Sequence, residues 1–116
     1  MSISCYVHFK DKTRETKSIP VAAEGEFTRY WERPALSLGL NLIAQFSAGL
    51  WIHEISTISH IIDELPVLRN YWINEMKARE IEEKWRVEMV IERIDKLLNL
   101  LNGLTEKWDQ VESVTF

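Results

Sequence analysis

The sequence predicts an α+β domain: an N-terminal β-hairpin, with the C-terminal stretch as a candidate further strand, packed against three to four helices. Three observations carry that reading. Residues 3–9 alternate between apolar and polar side chains. Residues 50–102 hold no glycine and a single proline, Pro66, beneath apolar stripes at helical spacing. The chain then closes on Val111, Val114 and Phe116, apolar again after a polar break. A length of 116 residues is that of one ordinary domain, so residues 1–116 are read as a single unit.

In the first strand Ile3, Cys5, Val7 and Phe9 share one face, and Ser4, Tyr6 and His8 the other. Lys10-Asp11-Lys12-Thr13 breaks the pattern, and residues 15–22 return as a second strand with Ile19 and Val21 on one face. Pro20 has no amide to donate, which suits an edge position. Phe27, Tyr30 and Trp31 then fall on one helical face, and Pro34 interrupts and opens the next helix.

Residues 35–47 fit either alternation (Leu36, Leu38, Leu40, Leu42) or a helix (Leu36, Leu40, Ile43, with Phe46 or Ser47). A long, Leu-rich run poor in β-branched residues favours the helix, stopped by Gly49. Residues 50–55 form a short apolar connection or strand.

Ser56 or Thr57 is the expected cap of a helix carrying Ile58, Ile61, Ile62, Leu65 and Leu68, with Pro66 a kink or new start. Tyr71, Trp72 and Met76 continue that stripe. A second stripe runs through Trp85, Met89 or Val90, Ile94, Leu97 or Leu98, and Leu101, to a stop at Gly103. Four acid-to-base pairs at spacing four support one long helix over 76–102: Glu75–Arg79, Glu80–Lys84, Glu82–Arg86 and Glu92–Lys96.

The hydrophobic fraction of 46% suffices for a packed core. The net charge of −4 leaves no basic footprint, so no nucleic-acid partner is expected. The single cysteine, Cys5, cannot form an internal disulfide; it reads as a buried apolar residue in a reducing compartment. No signal-like leader and no run of about eighteen apolar residues is evident, so a cytoplasmic protein without a membrane anchor is expected.

Catalytic and metal signatures are weak. His60 and Glu64 share a helix face, but no H-E-x-x-H accompanies them, so neither a metal nor another cofactor is expected. Asp63-Glu64 and Glu82-Glu83 are adjacent pairs, whose side chains diverge by about 100° on a helix and cannot flank one substrate. No G-x-S-x-G or G-x-G-x-x-G is present. The chain is therefore read as a binding protein and not as an enzyme.

Candidate binding residues come from aromatics and unbalanced acids. Five tryptophans are many for this length. Phe27, Tyr30 and Trp31 lie among Glu24, Glu26 and Glu32, and core packing competes with a contact role for them. Neighbouring aromatics cannot both face the core from one side of a helix, so one of Tyr30/Trp31 and one of Tyr71/Trp72 is expected near the rim. Residues 50–75 set Glu54, Asp63, Glu64 and Glu75 against Arg69 alone, the segment best suited to a basic partner. The candidate partner-binding set is Glu24, Glu26, Tyr30, Trp31, Glu54, Asp63, Glu64 and Tyr71.

Residues 50–72, and within them Trp51, Glu54-Ile55, Ile58, Ile62 and Glu64-Leu65 following Ala48-Gly49, resemble bacterial immunity proteins of polymorphic toxin systems. The resemblance spans about a fifth of the chain; Ile stands at 55 where Leu is usual, and the proline sits at 66. It implies a small cytoplasmic inhibitor that neutralises a cognate protein toxin by binding it. The alternative is a module that self-associates, as a homodimer, through the long helix 76–102.

Overall fold

The computed structural model describes residues 2–23 and 25–116. Strand β1, Ile3–Phe9, and strand β2, Lys17–Ala22, form the predicted hairpin. The C-terminal stretch supplies strand β4, Val111–Thr115, and residues 51–52 supply a short strand β3, Trp51–Ile52. All neighbours are antiparallel, in the order β2-β1-β4-β3. Pro20 accordingly lies on an edge strand, where its missing amide breaks no inter-strand bond to a further neighbour.

The inward face of the sheet is the one the alternation assigned. Cys5, Val7, Phe9, Val21, Ile52 and Val114 are buried against the helices. Burial pushes the Cys5 thiol up to about 12, so at neutral pH it is a protonated apolar side chain.

Two long helices lie over this face: α3, Ile55–Ala78, and α4, Lys84–Thr105. They correct the expectation of one helix over 76–102. The chain extends at Arg79 and turns left-handed at Glu83 (φ 57°), so α4 folds back on α3. A continuous helix would leave both apolar stripes without a partner. Folding back buries Leu68 and Trp72 on α3 together with Val87, Val90, Ile94, Leu97 and Leu101 on α4. Half-buried Ile81 anchors the turn to this core.

Other boundaries move too. Glu54, not Ser56 or Thr57, is the residue at the N-cap of α3. The helix passes through Pro66, which is exposed, so water can reach the carbonyl left without an amide partner. Gly103 does not stop α4, which continues to Thr105 and buries Leu104. Trp85 leaves the stripe and stands 55% exposed, with Arg86 over its ring.

Between the hairpin and β3 the chain is helical in short pieces. A π-helical turn, Thr28–Glu32, leads into helix α1, Arg33–Leu38, with Pro34 in its first turn. Gly39, at φ 75°, ends α1 in a conformation that suits glycine, so the single helix expected over 35–47 is broken there. Helix α2, Asn41–Ala44, and a 3₁₀ turn, Phe46–Ala48, follow, with Gly49 as the final stop.

Tyr30 and Trp31 are both buried, which corrects the rim expectation for that pair. The rule assumes one buried side, whereas this segment is enclosed on two. Tyr30 packs on Trp72 with centroids 5.6 Å apart; Trp31 packs on Phe27 and Phe46 at 6.4 and 6.5 Å. For the second pair the rule holds, with Trp72 buried and Tyr71 half-buried.

Candidate partner-binding surface

The helices cover one face of the sheet and leave the other open. Tyr6 on β1 pairs with Thr115 on β4, and Thr115 pairs with Trp51 on β3. Cross-strand partners point to the same side, so these three side chains form a row on the open face. Two strand spacings separate the rings, roughly 10 Å. Tyr6 is 43% exposed and Trp51 68% exposed.

Polar side chains brace this row. His8 and Thr115 are hydrogen-bonded, Nε2 to Oγ1, at 3.3 Å. The His53 ring lies 5.3 Å from that of Trp51 at 37°. Lys12 and Glu112 form an ion pair at the hairpin end, and the bond from Lys12 holds the Glu112 carboxyl below its ordinary range. Past His53, which follows β3, come exposed Glu54 and Ile55, and just over two turns into α3 comes exposed Asp63. Neither Glu54 nor Asp63 has an ion-pair partner among the described residues.

The other candidate residues are occupied elsewhere. Trp31 is fully buried and Tyr30 is 3% exposed, so both belong to the core and neither is presented at the surface. Trp72 Nε1–H donates to the Tyr30 carbonyl at 2.8 Å, pinning the π-helical turn to α3. Glu26 pairs with Arg86 at 3.0 Å. Glu64 accepts from the amides of Leu42 and Ile43 at 3.3 and 3.0 Å. It thereby caps α2, whose own N-cap residue, Leu40, has no side chain able to do so. Glu24 lies outside the described residues.

Tyr71 sits half-buried beside a shallow groove of about 510 Å³ that also takes in Leu38, Val67 and Ala78. Burial, then its hydrogen bond to Glu75, raises the Tyr71 hydroxyl above its ordinary range. Arg79, then Tyr71, lowers the Glu75 carboxyl. Arg69 and Asp95 tie α3 to α4 at 2.7 Å.

Three exposed aromatics stand outside the set that the sequence suggested: Trp51 and Tyr6 on the open sheet face, and Trp85 at the start of α4. The signal for Tyr6 was present, since strand alternation puts it opposite Cys5 and Val7. For Trp51 a two-residue strand is too short to show a period.

Among the described residues no group of three or more His, Cys, Asp or Glu side chains is placed to hold a metal ion. Among the same residues, no helix is long and apolar enough to cross a membrane. No family model, no curated protein and no solved structure matches this chain.

Proposed function

We propose that the chain is a small cytoplasmic protein-binding inhibitor of the immunity type, which neutralises a cognate toxin by direct contact through the surface centred on Trp51. The observation that carries this reading is the exposed Trp51–Tyr6 row on an open sheet face, with the exposed carboxylate Glu54 two residues beyond β3 and a second, Asp63, further along α3. Tryptophan and tyrosine dominate the binding energy of protein interfaces when a partner desolvates them, and carboxylates at the border speed encounter with a basic surface. Trp51, Glu54 and Ile55 also belong to the stretch that resembles immunity proteins, and all three are exposed. The buried, unpaired Cys5 suits a reducing compartment.

The test is capture of partners from a lysate of the native host, followed by titration of the best hit and assay of its activity. The expected result is one tight partner whose enzymatic activity the wild-type domain suppresses. Trp51→Ala should weaken that complex by about thirtyfold or more, the scale of a hot-spot residue. Recovery of the chain alone, or of a partner whose activity is unaffected, would overturn the inhibitor reading.

A further inference from the structure

We propose that the notch between the π-helical turn and the N-terminus of α4 binds a small oxyanion, a carboxylate or a phosphate, and that Glu83 closes it in this structure. This inference is independent of the partner-binding surface. The notch is a cavity of about 290 Å³ lined by Gly25, Glu26, Arg29, Tyr30, Glu83 and Arg86.

Two of its lining residues carry buried polar atoms whose hydrogen-bonding capacity is unmet among the described residues: Tyr30 Oη and Arg86 Nε. Tyr30 is only 3% exposed, so bulk water does not serve its hydroxyl. Glu83 is the one non-glycine with positive φ among the described residues, at 57°. Backbone strain of this kind concentrates where a structure holds something in place. The π-helical turn, a rare element often found at functional sites, forms the opposite wall.

The chemistry of these groups selects the ligand. Glu83 brings a carboxylate oxygen 3.2 Å from Arg86 Nε and 4.0 Å from Arg29 Nη1. At the nearer contact the alignment does not make a hydrogen bond, and Nε stays unsatisfied. Glu83 is thus a tethered carboxylate in a poor pose, fixed by its place at the start of α4. A free oxyanion has no tether. With Glu83 swung aside it can accept from Arg86 Nε–H and from the Arg29 guanidinium, at the positive end of a 22-residue helix. The opposing charge is Glu26, which remains bound to Arg86 Nη1 at 3.0 Å. With Glu83 displaced, two guanidinium groups and a helix terminus face that single carboxylate.

The experiment titrates inorganic phosphate, and separately acetate, into isotope-labelled protein at constant ionic strength, following the amides of residues 25–30 and 83–87. Wild type, Glu83→Gly, Glu83→Gln and Glu83→Gly/Arg29→Gln are compared. Saturable shifts confined to the two segments are expected. Removing the tethered carboxylate should tighten binding about tenfold, and Arg29→Gln should reverse most of that gain. Glu83→Gln keeps the side chain's length, so it reports displacement even if glycine loosens the turn. The stronger of the two titrations names the oxyanion. Linear shifts spread over the whole surface, or no saturation in either folded Glu83 variant, would overturn the site and leave the notch to water.

Discussion

The α3–α4 hairpin and the segment between Gly25 and Gly49 are both helical and are built on different principles. In α4, buried residues recur at 87, 90, 94, 97, 101 and 104, the period of one apolar face against the core. Such a helix is specified by its own pattern. The segment from 25 to 49 instead passes through a π-helical turn, two helices of six and four residues and a 3₁₀ turn. Helices so short do not persist in water on their own. Two distant side chains hold them: Trp72 bonds the Tyr30 carbonyl, and Glu64 caps α2, both from α3. The long helices therefore act as a template on which the short ones are fastened.

Substitutions can break this contrast, beginning with the template. Leu101→Asp puts a charge into the fully buried face of α4. It should abolish folding, removing most of the roughly 5–15 kcal/mol available to a domain. Circular dichroism would show it, and a cooperative native-like melt would mean the wrong face of α4 has been assigned. Trp72→Phe keeps the ring on α3 but leaves the buried Tyr30 carbonyl without its donor, a loss of about 1–3 kcal/mol. Amide exchange should then accelerate in residues 26–48 more than in α4. Equal acceleration in both would argue against fastening.

Glu64→Ala is the milder test of the same idea, at about 0.5–2 kcal/mol for a lost cap. Its effect should appear first at the Leu42 and Ile43 amides. Charge reversal of Glu64 therefore reads stability, so charge tests of partner binding belong at Glu54 and Asp63. Reversing Asp63 should leave the melting temperature nearly unchanged, reversing Glu54 at the α3 N-cap should cost about 0.3–1 kcal/mol of stability, and both should slow association with a basic partner; unchanged association kinetics would remove them from the interface.

The smallest effect is in pH. Lys12 lowers the folded-state pKa of Glu112, so this pair contributes stability above the unfolded-state pKa of a glutamate and loses it as pH falls through the lowered value. Both groups are exposed, so Lys12→Met should barely shift the acid limb of the unfolding curve.

The same contrast explains what was legible beforehand. The hairpin and the buried face of α4 could be read because each repeats a period over several residues, whereas β4 showed only as an apolar return after a polar break. Gly39 carried a stop signal that the Leu-rich run around it obscured. The break at residues 79–83 had no such mark, since the left-handed position fell to Glu83 and two of the four supporting pairs, Glu80–Lys84 and Glu82–Arg86, do not form. Glu64 reads locally as a surface acid because the amides it caps lie 21 and 22 residues away. Trp51 becomes a surface residue only through the register of β3 on β4.

Strand order also dictates when the sheet can close. β4 lies between β1 and β3 yet follows every helix in sequence, and the His8–Thr115 bond joins residues 107 positions apart. During synthesis the hairpin and β3 must wait, unjoined, until residues 111–115 have left the ribosome. Long-range closure of this kind slows folding. A nascent chain halted before residue 111 would expose the unpaired flank of β1 as a template for other strands, and that interval is when a chaperone would have most to do.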